Sequence, residues 1–98
     1  MEDGLLFRLL TPRKEVASCR CDAVELWAKD NAKGEGGGSM GVRRGHLPAV
    51  VALEKGGPVR ALADGKPVFS ARVRGGFARV DAKSVTVLTP EAEEADGE

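Results

Sequence analysis

His46 is the only histidine of the chain and stands in GVRRGHLPAVVAL (residues 41–53), between the pair Arg43-Arg44 and a run of small aliphatic residues. An imidazole beside a glycine could act as a general base or a metal ligand. A hydrolytic triad, however, needs a base held by a carboxylate and a nucleophile in reach. The serines are Ser18, Ser39, Ser70 and Ser84, none in a nucleophile-elbow context, and no carboxylates form a paired constellation. Cys19 and Cys21, at i and i+2, share a face of a strand but are poorly placed to bridge each other. Two thiolate ligands without partners do not make a zinc site, and one histidine does not complete it. These two cysteines are expected to be reduced, buried, structural thiols, with metal or redox use as the alternative.

GEGGGSMG, at residues 34–41, superficially offers a phosphate loop. Such a loop needs a strand before it, a helix after it and a Gly-Lys-Ser/Thr ending. No helical pattern follows, so a flexible connection is the expectation. The chain is thus expected to have no catalytic, cofactor or metal site. His46 belongs either to a binding corner or to a hydrogen bond with a neighbouring strand.

The elements that would position that corner read as strands. Period-2 alternation dominates, and no window in residues 1–88 holds a 3.6-residue apolar period. Strands are expected at 5–10, closed by Thr11-Pro12, and at 15–28, long enough to need a bulge that switches its facing residues. Others are expected at 40–42, 49–53, 59–63, 66–74, 77–80 and 84–88. Asp64-Gly65 is a hairpin signal, and Asp81-Ala82-Lys83 is a turn. Strands of this length between Gly, Pro and Asp turns define an all-β sandwich or barrel. Thr89-Pro90-Glu91 is written like a helix start, but the few residues after it lack an apolar face. Residues 89–98 are expected to be a frayed acidic tail behind a domain at 1–88.

Length and composition fit one small domain: 98 residues, 42% hydrophobic. No apolar run approaches the roughly 20 residues of a membrane helix, and the acidic opening MEDG lacks the basic flank of a signal peptide. A cytoplasmic address is the default. The net charge is zero, yet five acids (Glu91, Glu93, Glu94, Asp96, Glu98) crowd the end. Residues 1–90 hold ten acids against fifteen bases, a net of +5. That body could meet nucleic acid, an anionic headgroup or an acidic protein. Single-strand binders stack bases on exposed aromatics. Phe7, Trp27, Phe69 and Phe77 mostly sit in apolar strand contexts and are expected in the core, which argues against nucleic acid.

Three stretches, in order, resemble one family. FRLLTP (7–12) is similar to the opening strand and turn of the epsilon subunit of F-type ATP synthases. GVRRGHLPAVVAL resembles that family's Gly-aliphatic-x-Pro-Gly-His-x-Pro-aliphatic segment. VRGGFARVDAKSVTVLTPEAEEAD resembles its closing Gly-Gly, strand, turn, Val-Thr-Val-Leu stretch. The resemblance covers nearly the whole chain. It implies an antiparallel β-sandwich of about ten strands, followed in the family by two helices. It also implies a non-catalytic rotor subunit without cofactor. Such a subunit packs on the gamma subunit and the polar loops of the c-ring, couples proton or sodium flow to ATP synthesis or hydrolysis, and meets the membrane only through the complex, on its cytoplasmic side.

By position, Ser39, Met40, Gly41, Arg43, Arg44, Gly45 and His46 would face the c-ring or the gamma subunit. A small basic β-barrel that binds nucleic acid is the alternative from another class. The family often has an acid where Ser39 falls and a proline where Arg44 falls, and the loop at 29–39 is longer than usual here. These departures make the expected ring contact more basic and less rigid. The family's helical hairpin, which carries inhibition and any ATP binding, has no counterpart in these residues, so no ATP-sensed brake is expected of them.

Overall fold

The computed structural model describes residues 4–29, 38–45 and 47–94. Ten strands form two five-stranded sheets packed face to face. In chain order they are β1 (Leu5–Leu10), β2 (Glu15–Cys21), β3 (Ala23–Ala28), β4 (Gly38–Arg43), β5 (Ala49–Ala52), β6 (Lys55–Ala63), β7 (Lys66–Arg74), β8 (Phe77–Val80), β9 (Ser84–Leu88) and β10 (Ala92–Glu94). Sheet A has the order β2-β1-β9-β8-β5, and sheet B the order β10-β7-β6-β3-β4. Every pairing is antiparallel except β1 with β9, which is parallel.

Alternation decides which side chains meet between the sheets. In β1, Leu5, Phe7 and Leu9 are fully buried while Leu6, Arg8 and Leu10 point away. Val85 and Val87 of β9, and Ala78 and Val80 of β8, extend that inner face. Sheet B answers with Val24, Leu26, Val42, Val59, Ala61, Ala71 and Val73. Most of these are small, so the sheets can interdigitate closely. Phe7 crosses the interface and meets Phe69 with ring centroids 5.7 Å apart, tilted by 38°.

Four expectations are corrected. Residues 15–28 are not one bulged strand. The chain leaves sheet A after Cys21 and enters sheet B at Ala23, so the change of facing is a change of sheet. Asp22 secures the crossing: its N–H donates to the Leu62 carbonyl (2.7 Å), and its Oδ2 accepts from the Asp64 N–H (2.7 Å). The tail does not fray from residue 89. Ala92–Glu94 pair with Val73, Arg72 and Ala71 of β7, so β10 belongs to the sandwich; residues 95–98 lie outside the described residues. The Thr89 hydroxyl, expected as a helix cap, donates instead to the Glu91 carbonyl (3.0 Å) and turns the chain into β10. Finally, only two of the four aromatics are core residues. Phe7 is buried and Phe69 packs against the core, whereas Trp27 and Phe77 are 41% and 54% exposed. Their hydrophobicity was visible in the sequence, but their parity within β3 and β8 turns them outward.

The thiols are as expected in one respect: both are free. Cys21 is buried with its Sγ 3.8 Å from the Leu5 carbonyl, and Cys19 is half-buried. Burial, with the neighbouring Cys19 and Asp22 adding to it, pushes the Cys21 thiol up to about 11. Because the thiolate is the nucleophile, Cys21 is expected to resist iodoacetamide at pH 8 in the folded protein and to react on denaturation. The folded state holds the Cys21 proton more tightly than the unfolded chain. Its contribution to stability is therefore complete below the unfolded value of 9.0 and shrinks as pH rises towards about 11. Peptide mapping of alkylated protein, with and without denaturant, checks the first statement.

The Gly75-Gly76 turn before β8 has a steric cause. Gly75 and Gly76 have φ of +79° and +102°. A Cβ on Gly76 would overlap the Leu88 carbonyl oxygen and press on the Thr89 Cα. Gly45 also has positive φ (+90°) but stands in open space. Gly76→Ala is therefore expected to cost about 3 kcal/mol or more, and Gly45→Ala about 1 kcal/mol, the backbone strain alone. Urea unfolding of the two variants, compared with the parent, measures the difference.

Candidate docking edge and corner

The residues singled out by the sequence lie along one flank of the sandwich. β4 is the last strand of sheet B, so one side of its backbone is paired to β3 and, among the described residues, the other has no strand beside it. Its register sets Ser39 opposite Trp27, Met40 opposite Leu26, Gly41 opposite Glu25, and Arg43 opposite Ala23. Ser39, Gly41 and Arg43 are exposed, while Met40 leans on the core and Val42 is fully buried. Ser39 to Arg43 spans four residue steps, about 13 Å. The predicted set is therefore a strip along an edge, not a pocket.

Beyond Arg43 the chain turns through Arg44 and Gly45 and crosses to β5, the edge strand of sheet A on the same flank. The left-handed backbone of Gly45 makes the turn, and its N–H donates to the Ala82 carbonyl (2.8 Å). That bond ties the corner to the turn between β8 and β9. Arg44, Gly45, Ala82 and Lys83 together line a shallow hollow of about 360 Å³. Arg43, Arg44 and Lys83 make this corner cationic. His46 lies outside the described residues, so neither reading of it is decided. Sequence reasoning found the Arg43 to Gly45 segment but missed Ala82 and Lys83. The turn at 81–83 was legible; its bond to residue 45, far away in the chain, was not.

Asp81 fixes the underlying turn. Its Oδ1 accepts from the Lys83 and Ser84 N–H groups (2.8 Å each) and from the Ser84 hydroxyl (3.1 Å). The Lys83 N–H, then the Ser84 side chain and N–H, hold its carboxyl below the usual value of 3.8. A depressed folded value means the stabilisation is present above the unfolded value and is lost as pH falls through the folded one. The corner is expected to loosen in acid below pH 4, and Asp81→Asn to loosen it already at neutral pH. Amide hydrogen exchange of Gly45, Lys83 and Ser84 reads this directly; unchanged protection in the variant would contradict it.

Among the described residues no group of three or more His, Cys, Asp or Glu side chains could hold a metal ion. The flank instead offers exposed backbone, short side chains and a cationic end, the features of a surface that meets another chain.

Comparisons with known proteins agree with the fold. Residues 5–95 match the model of the family described as ATP synthase, Delta/Epsilon chain, beta-sandwich domain. The chain is 36% identical over 92 residues to the ATP synthase epsilon chain of Synechococcus sp. (strain JA-2-3B'a(2-13)), covering 94% of this chain and 61% of that one. It is 43% identical over 89 residues to the ATP synthase epsilon chain of Bacillus subtilis (strain 168), covering 91% and 61%. A chain in the cryo-EM structure of the Euglena gracilis mitochondrial ATP synthase (OSCP/F1/c-ring) superposes with a TM-score of 0.75 at 23% identity, over 98% of this chain and 56% of that one. The chain belongs to the ATP synthase delta/epsilon β-sandwich family. It spans about three fifths of the length of the two bacterial relatives.

Proposed function

We propose that this chain is a non-catalytic subunit of the central stalk of an F-type ATP synthase. In this reading the β-sandwich packs on the gamma subunit. The strip from Ser39 to Arg43 and the corner at Arg44, Gly45 and His46 face the polar loops of the c-ring, on the cytoplasmic side of the membrane. Proton or sodium flow through the ring then turns the stalk and drives, or is driven by, ATP chemistry elsewhere in the machine. The observation that carries the reading is the family match, which covers both sheets and the strand edges between them.

The physical case for the ring-facing corner is its construction. A coupling element must pass torque without yielding. The Gly45–Ala82 bond and the Asp81 turn brace the corner against β8 and β9, in the middle of sheet A. Its cations suit acidic or carbonyl-rich loops, and surface charges at an interface rim act mostly on association rate and salt dependence. The nucleic-acid alternative has less support. Stacking needs successive aromatics along one track, and the two exposed ones, Trp27 and Phe77, belong to different sheets.

The test is reconstitution into membranes whose ATP synthase lacks its epsilon subunit. The chain is expected to restore coupled ion pumping. The double reversal Arg43→Glu, Arg44→Glu is expected to weaken assembly by about tenfold, the effect of roughly 1.4 kcal/mol, more strongly at low salt than at high salt. Full rescue by the double variant at low salt would remove the corner from the interface. No rescue by the parent chain would overturn the stalk reading.

A further inference from the structure

Each sheet has two edges, and three of the four carry the usual guards against further pairing. β2 bears Glu15 and Arg20, and its ladder with β1 shifts register between Leu9 and Leu10. β5 has four residues and follows directly on Pro48. β10 has three residues, two of them glutamates. β4 differs. It runs for six residues in unbroken register with β3, contains no proline, and carries one charge, Arg43, at its last position. Ser39 and Gly41 keep its outward side low, and a Cβ added at Gly41 would meet nothing within 4 Å. Among the described residues no strand pairs with its open side.

The strand is also self-complementary. A second β4 laid antiparallel beside the first must keep outward residues opposite outward ones, because facing alternates along a strand. With a two-fold axis at Gly41, Ser39 stands opposite Arg43 of the second copy, Met40 opposite Val42, and Gly41 opposite itself. All five residues from Ser39 to Arg43 then pair. The two arginines fall at opposite ends, four residue steps or about 13 Å apart. Moving the axis to Arg43 would set arginine against arginine, like charges directly opposite. Met40, half-buried in the single chain, gains cover from Val42 of the second copy. Trp27 supplies a separate observation. It is 41% exposed on the outward side of β3 and stands opposite Ser39. Across the seam, Arg43 of the second copy lies two strand spacings, about 9.6 Å, from Trp27. Only the short Ser39 side chain stands between them, so the guanidinium extends over it towards the indole face, the arrangement of a cation–π contact.

We propose that two copies of this chain pair through their β4 edges, antiparallel about a two-fold axis at Gly41, and join their B sheets into one continuous sheet. A two-fold contact is the commonest symmetry of homo-oligomers, and here one seam satisfies the open backbone of both edges. A single strand pair is a small interface, so the dimer is weak, with a dissociation constant on the order of 0.1 mM. The strip that pairing covers is the one the proposed function sets against the c-ring. Self-pairing and assembly therefore exclude each other: the free chain caps its own binding strip, and entry into the machine separates the copies. That exclusion rests on the stalk reading, whereas the pairing itself needs only the edge.

The test is sedimentation of the full chain from about 10 µM to about 2 mM, a range that brackets the expected dissociation constant, with amide shifts and the fluorescence of Trp27, the only tryptophan, followed over the same range. Monomer is expected to convert to dimer, with shifts centred on Ser39 to Arg43 and a change in Trp27 emission along the same curve. Gly41→Lys places its side chain in open space on a backbone that is not left-handed, so the single chain folds. It sets two lysines against each other at the axis and is expected to weaken pairing at least about tenfold. Gly41→Thr is expected to tighten it several-fold, by strand propensity and a threonine pair across the axis. Urea unfolding checks that both variants fold. A monomer at the highest concentration, equal dissociation constants for the three proteins, or shifts confined to other strands would overturn the proposal. Reconstitution separates the two readings. A chain that stays monomeric yet restores coupled pumping overturns the pairing and keeps the stalk; a chain that pairs but restores no pumping keeps the pairing and contradicts the stalk.

Discussion

Phe7 of sheet A rests on Phe69 of sheet B, and the burial around that contact is what every other feature depends on. Around it the inner faces are lined largely by valines, leucines and alanines, whose removal from water is the main favourable term. Small side chains demand close approach, so both sheets must present the right parity along every strand. Once they do, the chain has to cross between sheets at fixed places. Asp22 secures one crossing and Gly45 another, while Thr89 leads the chain from β9 of sheet A into β10 of sheet B. Each uses a specific backbone bond because the turn itself buries too little surface to hold by packing.

Much of this was legible in the sequence. Alternation located β1, β7, β8 and β9 at their observed limits, and the Asp64-Gly65 turn falls where β6 ends and β7 begins. What escaped was whatever depends on partners far away in the chain. The break at Asp22 is one residue long and reads as a bulge, because the acceptor for its N–H is Leu62. Residues 89–94 read as a helix start, because the acids and proline match that pattern locally. The vacant edge of β7 that recruits β10 is invisible until sheet B exists. Hydrophobicity alone points Trp27 and Phe77 inward, although parity places them outside.

The candidate site shows the same division. Arg43, Arg44 and Gly45 were recognisable as a corner, since glycine beside cations at a strand end has few structural uses. Their brace, Ala82 and Lys83, comes from the turn between β8 and β9, far along the chain. A strip of β4 edge and a braced cationic corner are features of contact. The β4–β5 flank is the surface that the proposed function uses.

The orientation of the domain in its machine tests this account most directly. Cryo-electron microscopy of an ATP synthase reconstituted with this chain would place the sandwich on the central stalk, with the β4 edge and the Gly45–Ala82 corner against the c-ring loops. Density that put the corner in solvent, with another face of the sandwich on the ring, or that lacked the domain altogether, would contradict it.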